Sequence, residues 1–143
     1  MTTYHTNEGS FELPEVGFAD RTVHLFEVPL DEGGELAFIV CRTPMPEGKS
    51  LREVVLAHVA HEAKQLGGFK ILAEEERTWA GVPALEVASR WRSEGAVVYQ
   101  RQAHLAANGL WILFGLNAPL EARAAGDAIL DRVLSSFRLH DGP

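Results

Sequence analysis

His58-x-x-His61-Glu62 places two imidazoles and a carboxylate at i, i+3 and i+4, a spacing that shares one side of a helix and could offer ligands to a metal ion. No further ligand stands at a recognised spacing, and the order differs from that of a His-Glu-x-x-His metal helix. The sequence therefore favours a packed His58 and a solvated His61. Cys41, the single cysteine, lies inside an apolar stretch with no base beside it, which suits an inert packed thiol better than a nucleophile. Gly33-Gly34 and Gly67-Gly68 lack the strand, loop and helix spacing of a phosphate cradle. No catalytic residue, metal or cofactor is expected.

The polar residues that stand out belong to a hairpin. Asn108-Gly109 supplies two residues tolerant of positive φ, so Ala96 to Ala107 and Leu110 to Ala118 are expected to pair across a two-residue type I′ turn. That register sets Leu105 against Ile112 and Ala103 against Phe114 on one face. On the other face it sets His104 against Leu113, Gln102 against Gly115 and Gln100 against Asn117, with Trp111 next to the turn. A buried amide left unpaired costs on the order of 1–3 kcal/mol. Gln100 and Gln102 on an otherwise apolar face thus suit a place that meets backbone carbonyls or small polar groups, and Gly115 permits close backbone approach. The stretch Glu35 to Arg42 shows the same doubling: Leu36, Phe38 and Val40 line one face, while Ala37, Ile39 and Cys41 line the other. A strand with one face in water would alternate apolar with polar, so something besides solvent should cover both.

Around these lie the elements that must position them. Gly9 to Pro14 ends a first strand, Arg21 to Val28 reads as a second, and Glu35 to Arg42 as a third. Ser50 with Glu53 forms a capping box that opens a helix, whose face carries Leu51, Val54, Val55, His58, Val59 and Leu66 before Gly67-Gly68 stops it. His58 and Glu62 sit near the middle of that face. Phe69 to Thr78 and Val82 to Arg92 read as strands joined at Ala80-Gly81, and Ser93-Glu94-Gly95 turns the chain into the hairpin. Glu74-Glu75-Glu76 suits a solvated sheet edge. Pro119 ends the hairpin, and Ile129, Leu130, Val133, Leu134 and Phe137 mark a second helix. The expected fold is α+β, an antiparallel sheet of about six or seven strands with two main helices. Two helices of about 17 residues, roughly 25 Å each, can cover one face of such a sheet but hardly both, which implies a partner. In the alternative, one helix packs on each face or two sheets pack together, and nothing is left exposed.

The chain has 143 residues, enough for one core and too few for two ordinary domains, so a single domain over 1–143 is expected. A formal charge of −7 opposes attraction to nucleic acid or to anionic lipid. The absence of a leader-like N-terminus and of any membrane-length apolar run predicts a cytoplasmic protein without membrane insertion.

Asn7-Glu8-Gly9-Ser10-Phe11-Glu12-Leu13-Pro14, Asp20-Arg21-Thr22-Val23-His24-Leu25, Tyr99-Gln100-Arg101-Gln102 and Leu134-Ser135-Ser136-Phe137, in this order and spacing, resemble the recurring segments of the Eag chaperones, in the DcrB-like group of the Mog1/PsbP-like fold. The resemblance spans nearly the whole chain. It implies a bacterial cytoplasmic adaptor for a type VI secretion effector, often of Rhs or PAAR-containing type. Such an adaptor works as a homodimer, holds the effector's N-terminal transmembrane helices in a hydrophobic groove and helps load it onto the secreted spike. Carried over by motif, the groove takes Val23 and Leu25, then Ile39 and Cys41 before Arg42, and Gln102. Gln100 and Leu113 join them from the hairpin register and His58 from the helix face. This chain departs from the family pattern at His24, where Asn is usual, at Cys41, where a small hydroxyl residue is expected, and at His58, where an amide is expected. Two other readings use the same apolar surface without catalysis: a small-molecule or lipid-binding module, and a generic protein-interaction domain.

Overall fold

The computed structural model describes residues 2–5, 10–13, 23–30 and 34–139. Two short strands, β1 (Thr2–His5) and β2 (Ser10–Leu13), pair antiparallel as a small separate sheet with Thr2 opposite Leu13. The main sheet has six strands: β3 (Val23–Pro29), β4 (Glu35–Pro44), β5 (Lys70–Trp79), β6 (Val82–Ser93), β7 (Ala96–Ala107) and β8 (Leu110–Pro119). Their order is β3-β4-β8-β7-β6-β5, and every neighbouring pair is antiparallel. Helix α1 (Leu51–Gln65) joins β4 to β5, and helix α2 (Arg123–Ser136) follows β8 after a 3-10 turn at Leu120–Ala122. The pairing of β1 with β2 was not expected from sequence. Arg21 and Thr22, placed in a strand above, lie outside the described residues, as do Gly9 and Pro14.

Local chemistry accounts for the boundaries. The Ser50 hydroxyl accepts from the Glu53 N–H at 3.2 Å while the Glu53 carboxylate reaches back to the Ser50 N–H at 3.5 Å, closing both halves of the capping box. Asn108 and Gly109 have φ of 53° and 74°, the pair of positive values a type I′ turn requires. The expected hairpin register is the one observed. Ala80 with Gly81 (φ 53° and 76°) and Glu94 with Gly95 (φ 50° and 83°) make the same kind of turn, with Ala or Glu in place of Asn at the first position. Long strand pairing on either side offsets the roughly 1–2 kcal/mol that each such residue costs.

Each helix lies on its own face of the sheet, so the two do not share one. Leaving β4, the chain must reach β5 at the far edge. α1 crosses one face on the way, packing Val55 and Val59 against Leu85 and Val87. α2 folds back from the central strand β8 over the other face, where Leu130 and Leu134 join Leu36, Phe114 and Leu116 in the larger core. Gly126 allows that close approach, since a Cβ there would fall 2.8 Å from Leu116 Cδ2.

The helices are offset across the sheet, and the areas they leave open differ in chemistry. On the α2 face, the open side over β5 and β6 carries Glu75, Arg77 and Glu86, which line a small cavity with the polar groups of α2. On the α1 face, the open side over β3 and β4 carries Val23, Leu25, Ile39 and Cys41. Water suits the first surface and not the second.

Candidate functional site

Strand register collects the residues singled out from sequence on the α1 face. Val23, Cys41, Leu113 and His104 lie abreast across β3, β4, β8 and β7; Leu25, Ile39, Gly115 and Gln102 form the next row, and Ala37, Asn117 and Gln100 continue it. His58 reaches the same face from α1, with its ring centroid 5.6 Å from that of His104 and 5.5 Å from that of Trp111. Val23 and Leu25 are 62% and 58% exposed, and Ile39 and Cys41 are half-buried. Leu113, Gln100 and Gln102 are buried. The eight positions thus make an apolar shelf over β3 and β4 that runs into a closed polar seam at the foot of α1. Gly115 lies between the two, and an added Cβ would come within 3.1 Å of Ile39 Cγ1.

The seam is a directional hydrogen-bond chain. Trp111 Nε1, which can only donate, gives its hydrogen to His104 Nδ1 at 3.0 Å. His104 must therefore carry its proton on Nε2, which donates to Gln102 Oε1 at 3.1 Å. Gln102 Nε2 donates in turn to Glu62 Oε2 at 3.2 Å. From the other side, Trp91 Nε1 donates to Gln100 Oε1 at 3.2 Å and Gln100 Nε2 to the same Glu62 oxygen at 2.8 Å. Burial, with the nearby His58 second, pushes the His104 imidazole down to about 3, so it stays neutral and keeps its acceptor. His58 Nε2 lies 3.5 Å from Glu62 Oε1, outside hydrogen-bond geometry, and has no hydrogen-bond partner among the described residues.

Both glutamines were expected to need polar company, and α1 supplies it. Each amide oxygen is taken by Trp91 or His104, and each amide nitrogen already gives one hydrogen to Glu62. Glu62 is the residue that sequence reasoning left out of the site. The signal was present, since an acid in the middle of an apolar helix face must be met by donors. Partial burial pushes the Cys41 thiol above its ordinary value, away from nucleophilic use. His61 is exposed, apart from the buried seam. Among the described residues no group of three His, Cys, Asp or Glu side chains is placed to hold a metal, and no helix is long and apolar enough to cross a membrane.

At the far end of the shelf, an open cavity of about 740 Å³ is lined by Ala37, Trp91, Val98 and Asn117, with Glu35 and Glu121 at its margin. The apolar surface thus continues along the strands past the eight positions. A ligand would meet mainly hydrocarbon, with carboxylates at one end.

Solved structures share the fold. A Pseudomonas aeruginosa protein of unknown function, PA94, superposes with a TM-score of 0.83 over 99% of each chain at 18% identity. LpqN, involved in cell envelope biogenesis of Mycobacterium tuberculosis, gives 0.62 over 86% of this chain and 85% of its own at 12% identity. The cyanobacterial PsbP of Synechocystis sp. PCC 6803 gives 0.58 over 91% and 98% at 14% identity. The six-stranded antiparallel sheet with two helices is therefore of the Mog1/PsbP-like class. Among curated proteins, the chain is 24% identical over 106 residues to Effector EagT6 of Pseudomonas aeruginosa, covering 73% of each. The model of the family described as DcrB matches residues 8–136, a span that takes in the whole main sheet, both helices and all eight shelf positions, and on that match the chain belongs to the DcrB family, as an Eag/DcrB-like protein.

Proposed function

We propose that this protein is a chaperone and adaptor for a secreted effector of a type VI system. In this reading it acts in the bacterial cytoplasm as a single domain, pairs with a second copy of itself, and performs no catalysis. Its client is the N-terminal transmembrane segment of an effector of Rhs or PAAR-containing type, shielded until the effector is loaded onto the secretion spike. The observation that carries the reading is the open apolar shelf on the α1 face. Val23 and Leu25 stand exposed there beside half-buried Ile39 and Cys41, while the open area of the α2 face over β5 and β6 is charged. The Eag resemblance and the similarity to Effector EagT6 support an effector as the partner. An apolar helix suits the shelf because it hides its own backbone polar groups and asks only for hydrocarbon contact.

The test is the double variant Val23→Asp/Leu25→Asp. Both side chains are exposed in the free protein, so the carboxylates stay hydrated and the fold should be retained. Against an apolar helix each would lose water without gaining a partner, at a cost on the order of several kcal/mol, and client capture should be lost. Circular dichroism, a melting curve and effector pull-down on the same preparation decide the matter. Unfolded variant protein would mean that the shelf is a closed core, and folded protein with full capture would move the site elsewhere. A lipid retained by the purified wild type in place of the effector would favour the pocket-module reading.

A further inference from the structure

We infer that the shelf is directional: it seats one apolar helix per chain, with that helix's positively charged flank at the end marked by Glu27, Glu35 and Glu121. This rests on the proposed function and adds the polarity of the occupant.

The width of the shelf sets the number. β3, β4 and β8 span about 10 Å between outer axes at the usual strand spacing, and a helix with its side chains is about 10–12 Å across. α1 occupies the rest of the face over β6 and β7. One helix therefore fits beside α1, on Val23, Leu25, Ile39 and Gly115, and a second does not. Along the strands the surface from Cys41 to Glu35 is about 20 Å long, and the cavity at Ala37, Trp91 and Val98 extends it beyond the exposed valine and leucine.

The two ends differ in charge. Side chains alternate along a strand, so Glu27 points to the same face as Leu25, and Glu35 to the same face as Ala37 and Ile39. Glu121, from the 3-10 turn, borders the cavity that Glu35 also lines. All three carboxylates are exposed, and none makes an ion pair with another described residue. At the other end β3, β4 and β8 present Val23, Cys41, Thr43, Leu113 and Trp111 to this face, with no carboxylate among them. Glu62, near the middle, is already engaged by both glutamine amides. Membrane-spanning helices are commonly flanked on one side by Lys and Arg. Such a flank, laid along the shelf, meets at one end three carboxylates that pair with no described residue and at the other, among the described residues, only apolar or neutral strand side chains.

The experiment uses the full chain and three synthetic helical peptides that share one Leu/Ala core and carry two Lys, two Gln or two Glu at one end. Binding is read by fluorescence anisotropy at low ionic strength, where exposed charges are least screened. We expect the Lys-flanked peptide to bind about tenfold more tightly than the Glu-flanked one, the scale of a few exposed charge pairs. That preference should disappear in Glu27→Gln/Glu35→Gln/Glu121→Gln. It should persist in Glu74→Gln/Glu75→Gln/Glu76→Gln, which removes the same charge from the β5 edge. Circular dichroism confirms that both triple variants fold. Equal binding of all three peptides to the wild type, or an equal loss of preference in both variants, overturns the directional seat while leaving the groove in place. Failure of every peptide to bind the wild type overturns the groove reading with it.

Discussion

His104 shows how one buried side chain can be argued from its neighbours alone. The indole of Trp111 can only donate, so the imidazole must accept at Nδ1, and a protonated ring could not. With the folded-state value depressed to about 3 from an ordinary 6.5, the unfolded chain binds a proton between those limits and the folded chain does not. Stability is therefore complete above pH 6.5 and is lost progressively as the pH falls toward 3. One proton contributes a slope of about 1.4 kcal/mol per pH unit in that window. We expect His104→Gln, which can still accept from Trp111 and donate to Gln102 but cannot titrate, to show a pH dependence of the urea-unfolding free energy shallower by that amount. Parallel curves for wild type and variant would assign the acid sensitivity to other groups. Much of this site was legible before folding: the Asn108-Gly109 turn alone placed His104 against Leu113 and Gln102 against Gly115. What could not be read was the far end of the chain of bonds. Gln100 and Gln102 meet Glu62 across 38 and 40 residues of sequence, and only the lateral position of α1 on the sheet decides that contact.

One strand holds both helices through polar groups, and the segment Tyr99-Gln100-Arg101-Gln102 shows how. Alternation sends the two glutamines to α1 and sends Tyr99 and Arg101 to α2. The Arg101 guanidinium donates to Glu86 Oε1 at 2.9 and 2.7 Å, to Asp131 at 2.7 Å and to Asp127 at 3.4 Å. Tyr99 donates its hydroxyl to Asp127 at 2.7 Å, and burial together with that carboxylate pushes its phenol up to about 12, so it remains a donor. Sequence periodicity located both helices and every strand of the main sheet, but it could not say that each helix takes a different face. That outcome depends on the crossover from β4 to the far-edge strand β5, which no local pattern records. The buried pair makes the attachment of α2 testable. Arg101→Met should cost about 3–5 kcal/mol in urea unfolding, because Glu86 is left charged and buried without its main partner. Adding Glu86→Leu should recover a large part of the loss, since a well-packed apolar pair avoids desolvating any charge. A single variant as stable as wild type would show that Arg101 does not anchor α2.

At the scale of the whole molecule, the two sheet edges are treated differently. β5 carries Glu74, Glu75, Glu76 and Arg77, charges that discourage a foreign strand. β3 carries Val23 and Leu25 toward the α1 face and Phe26 and Val28 toward the other, with Phe26 52% and Val28 40% exposed. Phe26 continues a ring series through Phe38 and Phe114 to Phe137, with successive centroids 5.7, 6.3 and 5.0 Å apart, so the core of the α2 face extends to the edge of the sheet uncovered. A helix on the α1 shelf cannot reach Phe26 or Val28, which point the opposite way. The proposed second copy gives that surface an occupant, and a two-fold pairing would bury the same patch on both chains. We therefore expect light scattering at micromolar concentration to give twice the chain mass. Phe26→Lys/Val28→Lys should give a folded monomer, because paired ammonium groups brought together across a symmetry axis would repel and lose hydration. Client peptides should still bind this variant on the untouched α1 face. A wild-type monomer would remove the second copy from the proposal, and a lysine variant that stays dimeric would move the interface to exposed apolar residues elsewhere, Leu56 on α1 or Ile71 on β5.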